Sequence, residues 1–340
     1  MPVSNFQMRF FYLFVVFWFF GSTEISAQVV QEPEQKHEIT IYVMPTLFPI
    51  NWESPADLYN STISCYLKTA LVSNNYLLGH LAVQLNTPLL PKSILTAMKS
   101  TDQKERIDFM FIKKIGFSIL GASFRGKLET EKELNQNFKA YSKRNKLAFI
   151  TYRINEQAAK RIIQLFENFS QSRNNKPAAS NFYGGAFWPR YQSEGAGCSA
   201  FGMALLDVAN LLDANTQDWL IQVNIPMSII GGEFNNDKKV KISTVKKTKS
   251  WHNGAGKINV DYIPYKVYEP SIMFDWILRQ RAAENTKFKS VEKDGVPGLY
   301  IDCKDVFVSA EEPLFTERTE SNVFINKFLE KIQAIKLKTD

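Results

Sequence analysis

The sequence predicts an α+β protein in which strands come first along the chain and most helices come later. Short runs of β-branched and aromatic residues, separated by turns, occupy much of the region from residue 38 to residue 153. Apolar residues then recur at helical spacing, first over 155–169 and again after Cys198. The strands and helices are segregated, which argues against the regular alternation of a parallel βαβ series.

The individual elements follow from these patterns in chain order. Strands are predicted at 38–44, 62–72, 76–86, 107–113, 115–120, 146–153, 219–226 and 299–309, with a turn at Ser73-Asn74-Asn75. Helices are predicted at 155–169, from Cys198 onward, at 271–283 and at 322–337. The expected arrangement is an antiparallel sheet or partial barrel with packed helices.

The N-terminus predicts export from the cytoplasm. The run Phe10–Gly21 is apolar, follows Arg9 and ends in small and polar residues. It is too short to cross a bilayer as a helix, but it is typical of the apolar core of a secretory signal peptide. We expect cleavage near Ala27 and a periplasmic or extracellular mature protein. An uncleaved membrane anchor is the alternative.

The charge of the chain is concentrated in one segment. The formal net charge is +7, and the stretch Lys238–Lys257 holds seven lysines and no acidic residue. A solvated loop explains such a stretch, and so does a surface that binds an anionic wall polymer or an anionic lipid. Nucleic acid is not an expected partner of an exported protein. The apolar content of 45% is that of a globular protein with one large domain or two.

The cysteines and histidines limit the chemistry that is available. The chain has three residues of each type, and their scattered positions offer no spacing for metal ligands. No cofactor is therefore predicted. An exported protein with three cysteines forms at most one internal disulfide, for which we expect the pair Cys65 and Cys303.

The remaining thiol, Cys198, lies in an unusual segment. It begins a predicted helix directly after Gly195-Ala196-Gly197, where free backbone N–H groups and the helix dipole favour the thiolate. The glycines allow a substrate to approach closely, and the Cys198 N–H is available to an oxyanion. A small buried structural cysteine is the alternative interpretation.

The same segment resembles the nucleophile region of the NlpC-type cysteine hydrolases, which have a papain-like fold. The resemblance rests on Tyr183-Gly184-Gly185, Pro189, Gly195, Cys198-Ser199 and Phe201. The family helix typically begins Asp-Cys-Ser-Gly-Phe, whereas this chain has Gly197 and Ala200 at the Asp and Gly positions. The resemblance implies a thiol hydrolase in which Tyr183 donates to the oxyanion or shapes the pocket.

A thiol nucleophile needs a base, for which His80 is the first candidate. His80 lies in Tyr76–Leu85, which resembles the histidine strand of that family. In this chain the histidine precedes the cysteine, as in the circularly permuted branch that includes YiiX-like proteins and relatives of lecithin retinol acyltransferase. The alternative is His252, which follows Cys198 as the unpermuted order requires. His37 lies too close to the predicted mature N-terminus to be favoured.

A third group would orient the imidazole. Gln84 shares a strand face with His80 because side chains alternate along a strand. The resemblance implies a polar residue on a neighbouring strand, for which Asp108 and Ser118 are candidates. The sequence leaves these three open.

These inferences combine into one functional hypothesis. Residues 1–27 would be the signal peptide, 28–215 a permuted papain-like domain, and 216–340 a C-terminal extension or accessory layer. The function expected is hydrolysis of an amide or ester bond, in a cell-wall peptide or an acyl substrate, through a Cys198 acyl-enzyme with His80 as base. The alternatives are a non-catalytic envelope binding protein on the same scaffold and an acyltransferase with the same Cys and His.

Overall fold

The computed structural model describes residues 36–70, 78–101, 104–105, 108–172, 177–283 and 287–336. The predicted signal peptide and the predicted turn Ser73-Asn74-Asn75 lie outside these ranges. Residues Gln35–Asp340 form one compact unit, so residues 216–340 belong to the same unit as the chain before them.

Helices and strands alternate irregularly along the chain. The helices are α1 (Pro55–Ala70), α2 (Glu131–Ser142), α3 (Glu156–Ser170), α4 (Cys198–Val208), α5 (Ala214–Gln217), α6 (Ile242–Lys247), α7 (Pro270–Ala282) and α8 (Val323–Lys336). The strands are β1 (His37–Met44), β2 (His80–Asn86), β3 (Ile94–Thr96), β4 (Met98–Ser100), β5 (Phe124–Leu128), β6 (Ala148–Ile154), β7 (Phe182–Tyr183), β8 (Leu220–Pro226), β9 (Tyr262–Tyr268), β10 (Lys289–Lys293) and β11 (Val296–Asp302).

The main sheet is open and mixed. Its strand order is β10-β11-β6-β1-β2-β3. Strand β1 pairs antiparallel with both β2 and β6, whereas β11 runs parallel to β6. The α+β class is confirmed. The expectation of an antiparallel sheet is wrong for β6 and β11, because the hairpin β10–β11 that follows α7 places β11 beside β6 in the same direction.

Side-chain alternation along the central strands gives the sheet two apolar faces. Ile39, Ile41 and Val43 of β1 point toward α3, α4 and α7, and join the largest buried cluster. Tyr42 and Met44 point to the other face, which α2 covers. Both faces of the central strands are therefore shielded from water.

A second core lies beside the sheet. It contains residues of α1, of the two-stranded sheet β8-β9, of α6 and of α8, together with Phe124 of the sheet β4-β5-β7. Leu58, Ile225 and Ile263 are among its buried members. Several of its members, among them Leu58 and Tyr265, line the cleft described below.

Some predicted strands are helical instead. Residues 62–70, predicted as part of a strand, belong to α1, which has Pro55 in its first turn and buries Leu58 and Cys65. The predicted strand at 107–113 contains a π-helical turn at 108–112, and the next one contains a 3₁₀ helix at 117–120. Gly116, with φ of 61°, separates these two turns, and neither pairs as a strand.

Other predictions are confirmed. Strands β1 and β6 match the predicted segments closely, and helix α3 begins after Asn155, whose side chain accepts a hydrogen bond from the Ala158 N–H at 2.9 Å. The predicted strand at 299–309 extends only to Asp302. Within the described ranges, no helix has the length and hydrophobicity needed to span a membrane.

Candidate active site

Helix α4 presents Cys198 at its first residue. Gly197 is the N-cap, with extended backbone angles, and no side chain caps this end of the helix. The N–H groups of a first helical turn have no intrahelical partner, and here no capping side chain takes its place. The positive end of the helix dipole lies at the thiol. Cys198 is 8% exposed and lines a cleft.

Strand β2 presents His80 at its first residue, opposite Met44 in the β1–β2 register. Gly79 precedes it with φ of 74°, and a Cβ at that position would lie 3.0 Å from the Met44 carbonyl oxygen. The left-handed conformation and the close approach both favour glycine there. Gly79 thus allows the chain to enter β2 with His80 facing the cleft.

Close packing between α4 and β2 brings Cys198 and His80 together. Gly202 lies one turn into α4, where a Cβ would be 2.2 Å from Cδ2 of Leu81. The missing side chain allows the helix to lie directly on the strand. As a result the Cys198 and His80 side chains share a hydrogen bond, and the Leu81 N–H donates to the Cys198 sulfur.

The third group on His80 is Glu129, a residue that the sequence analysis missed. Its Oε2 lies 2.6 Å from Nε2 of His80, and the two residues are 2% and 3% exposed. Because Nε2 is occupied by this carboxylate, Nδ1 is the ring nitrogen left for Cys198. The imidazole is thus held between a thiol and a carboxylate.

Backbone contacts fix Glu129 in place. It follows β5 and precedes Thr130, the N-cap of α2. Its N–H donates to the Ala97 carbonyl at 2.8 Å, and its own carbonyl accepts a 2.9 Å hydrogen bond from the Thr96 hydroxyl. The second carboxylate oxygen lies 3.3 Å from Nζ of Lys99. The buried carboxylate is therefore paired on both oxygens, as a buried charge requires.

The electrostatics of the group favour a thiolate–imidazolium pair. Burial alone would raise the pKa of the Cys198 thiol, but the charge and hydrogen bond of His80 outweigh it and lower that pKa below its ordinary value. Burial likewise opposes the charged form of His80, yet the Cys198 thiolate and Glu129 raise the pKa of His80 to about 9. Both shifts have the sign that makes the sulfur nucleophilic near neutral pH.

The three predicted candidates for the third group have other positions. Gln84 lies four residues beyond His80 along β2, too far to orient its ring. Its amide oxygen instead accepts a 3.0 Å hydrogen bond from the Tyr42 hydroxyl. Asp108 begins the π-helical turn whose Phe109 packs in the second core. Ser118 is buried, and its hydroxyl donates to the Gly231 carbonyl at 2.9 Å. None of these residues takes the place on His80 that Glu129 occupies.

Of the other predicted residues, Tyr183 lies at the site, whereas His252 and His37 have other partners. Tyr183 lies in β7 and lines the same cleft as Cys198. The ring of His252 stacks on Tyr262 at 4.8 Å, and its Nδ1 accepts a hydrogen bond from the Gly254 N–H. His37 lies at the start of β1, with Nδ1 2.7 Å from the Thr87 hydroxyl. The structure therefore joins His80, not His252, to Cys198.

A cleft of about 1850 Å³ opens at the Cys198–His80 pair. The residues that line it include Gly184, Gly185 and Gly197. A Cβ on Gly185 would lie 2.3 Å from the Tyr265 hydroxyl and 2.5 Å from the Leu120 carbonyl oxygen, so the glycine turn passes through a narrow space. A substrate in this cleft can reach the sulfur and the N–H groups that begin α4.

None of the three cysteines, all of which lie in the described ranges, forms a disulfide. Cys65 is buried in α1 and Cys303 follows β11, so the expected Cys65–Cys303 disulfide is wrong. In the described part of the chain, no cluster of three or more His, Cys, Asp or Glu side chains is placed to hold a metal ion.

The comparisons with known proteins find no relative. No family model matches the chain, and neither does any curated protein or solved structure. The chemistry of this protein is therefore inferred from the geometry of Cys198, His80 and Glu129 and from the cleft that Cys198 and His80 line.

Proposed function

We propose that this protein is a thiol hydrolase that cleaves an amide or ester bond through an acyl-enzyme on Cys198. The observation that carries the proposal is the buried Cys198–His80–Glu129 group at an open cleft. A thiol at a helix N-terminus, hydrogen-bonded to an imidazole that a carboxylate orients, is the arrangement that activates cysteine nucleophiles.

In the first half of the reaction the Cys198 thiolate attacks the substrate carbonyl carbon. The carbonyl oxygen takes up negative charge, which the Cys198 N–H and the positive end of α4 stabilise. The His80 imidazolium then donates its proton to the leaving amine or alcohol. The carbon–nitrogen or carbon–oxygen bond breaks, and a thioester with Cys198 remains.

In the second half His80, now neutral, accepts a proton from water as the water attacks the thioester. Collapse of the second tetrahedral intermediate releases the carboxylic acid and restores the thiolate–imidazolium pair. Glu129 holds the ring orientation throughout and stabilises the imidazolium without itself taking the proton.

The resemblance to circularly permuted NlpC-like hydrolases is part of this proposal. It is supported by a helix that begins at Cys198 and packs on a strand that begins at His80, with the histidine earlier in the chain. Export also remains a proposal, supported by the apolar run Phe10–Gly21 in the sequence.

Trapping the acyl-enzyme tests the proposed function. The chain from Gln28 onward, which keeps the compact unit Gln35–Asp340, is mixed with a p-nitrophenyl ester and its intact mass is followed. We expect a burst of nitrophenol and a hydroxylamine-sensitive adduct that maps to Cys198, both absent from Cys198→Ser and retained in Cys303→Ser. Equal acylation of Cys303, or no adduct, would instead favour the non-catalytic binding protein.

A further inference from the structure

The cleft beside Cys198 is large, and one part of it is strongly apolar. This part is lined by Trp52, Leu58, Ile63, Phe117, Val245 and Tyr265. They come from α1 and the loop before it, the 3₁₀ turn, α6 and β9. A volume of about 1850 Å³ exceeds that of a usual small-molecule pocket. Such a space suits a long, flexible, apolar group better than a compact polar one.

The rim of the cleft is also apolar, although it faces solvent. Four large side chains line the cleft and are nevertheless 44–48% exposed: Tyr66, Leu78, Ile242 and Ile258. Exposed apolar side chains around a cleft indicate a surface that contacts another apolar phase.

Lysines flank the same rim. Lys241 is the N-cap of α6, directly before Ile242, and Lys246 and Lys247 end that helix. Helix α6 packs against α1, and Nζ of Lys246 lies 5.7 Å from the ring centre of Tyr59, a cleft residue. The lysine salt bridges among the described residues involve none of the seven lysines of Lys238–Lys257.

We propose that the mouth of the cleft docks on the surface of an anionic lipid bilayer, and that an aliphatic chain of a lipid substrate enters the cleft from there. The apolar rim would insert at the level of the head groups while the lysines pair with lipid phosphates. A hydrated anionic polymer would satisfy the lysines but would leave Ile242 and Ile258 exposed to water. The substrate part of this inference rests on the proposed function, whereas the docking part does not.

Co-sedimentation with vesicles tests the docking surface. The chain from Gln28 onward is mixed with phosphatidylcholine vesicles, with and without phosphatidylglycerol, at low and high salt. We expect binding only to the anionic vesicles and weaker binding at high salt, because salt screens exposed charges. The Cys198→Ser variant should bind equally well, so loss of thiol chemistry and loss of docking are distinguishable.

Paired variants separate the two contributions to docking. Ile258→Glu with Ile242→Glu, and Lys246→Glu with Lys247→Glu, should each lower vesicle affinity by at least about tenfold. The matched controls are Phe307→Glu, at a site 79% exposed, and Lys289→Glu on β10; neither residue lines the cleft. Equal binding by the rim and control variants would overturn the proposal. A loss in the lysine variant alone would show adsorption by charge without insertion of the apolar rim, and would equally overturn it.

Binding of a fluorescent fatty acid series to Cys198→Ser tests the aliphatic chain without requiring turnover. Affinity should rise with chain length and should fall in Ile63→Glu, which places a charge on the cleft wall. Circular dichroism of Ile63→Glu checks that the variant is folded. Affinity that does not depend on chain length would contradict an aliphatic substrate, even if Cys198 proves to be an active nucleophile.

Discussion

The Glu129 carboxylate lies 2.6 Å from Nε2 of His80, and both side chains are almost wholly buried. This contact fixes which ring nitrogen is left for the Cys198 sulfur. It also gives the imidazole its second negative neighbour after the thiolate. The contact therefore links the fold of the β5–α2 connection to the reactivity of Cys198.

Glu129→Gln should lower activity much more than stability. The amide keeps the shape of the side chain but removes the charge that helps to raise the pKa of His80, so the imidazolium becomes easier to deprotonate. We expect kcat to fall by about 10²-fold to 10⁴-fold, as when the orienting carboxylate of a catalytic triad is replaced. Steady-state hydrolysis of a p-nitrophenyl ester measures this. An unchanged kcat would remove Glu129 from the mechanism.

Ser118→Ala should show the opposite pattern. Its buried hydroxyl donates to the Gly231 carbonyl at 2.9 Å and accepts from the Gly231 N–H at 3.0 Å. Removing the hydroxyl takes away the partner of the buried Gly231 carbonyl, whereas the Gly231 N–H keeps a 3.1 Å hydrogen bond to the Ile115 carbonyl. The loss should cost about 1–3 kcal/mol of unfolding free energy. Urea unfolding measures that loss. Thiol reactivity at Cys198 should stay at the wild-type level, and a large drop would show that Ser118 supports the site.

Gly202→Val should separate helix α4 from strand β2. The first added carbon would already meet Leu81 at 2.2 Å, so the variant should lose about 1–3 kcal/mol of stability. Alkylation of Cys198 should slow in the same protein, because its distance from His80 grows. Gly197→Ala is the matched control: its Cβ would lie 3.4 Å from the nearest atom, and the expected loss is below about 1 kcal/mol. Equal losses in both variants would contradict the packing argument.

The cysteines should react in a defined order. Burial raises the pKa of Cys303 to about 11, which leaves little thiolate at neutral pH, and Cys65 is buried within α1. Peptide mapping after brief iodoacetamide treatment should therefore find Cys198 labelled first. Denatured, non-reduced protein should give three thiols with Ellman's reagent. A single thiol would instead show the Cys65–Cys303 disulfide that the sequence led us to expect.

The sequence predicts the elements whose patterns are local. The N-cap Asn155, the helical spacing that follows it and the alternation in β1 and β6 each need only neighbouring residues. Within the described residues, 62–70, 108–113 and 115–120 differ from the predicted strands, because short apolar runs fit either a strand or a buried helical turn. Their conformation is decided by packing around Leu58, Phe109 and Phe117 in the second core.

The site was predicted only in part, for a related reason. Cys198 and His80 stand out through the glycines beside them, and the structure brings these two residues together. Glu129 has no such mark, because its position depends on the pairing of Glu129 with Ala97 far along the chain. The one local signal is the capping box of Thr130 and Glu133, which marks where α2 begins. It shows that Glu129 lies directly before a helix, but not what Glu129 contacts. The partner of that acid becomes visible only once the sheet is assembled.

The pH dependence of Cys198 alkylation tests the central claim most directly. Because the pKa of Cys198 is lowered and that of His80 is raised, wild-type Cys198 should react rapidly with iodoacetamide at about pH 6, as an activated thiolate does. His80→Ala removes the largest influence that lowers the pKa of Cys198 and leaves burial opposed only by the Leu81 N–H, the Ser199 hydroxyl and the helix dipole. Rapid labelling should therefore shift to alkaline pH, whereas His252→Ala should match the wild type. An ordinary thiol profile in all three proteins would contradict the account.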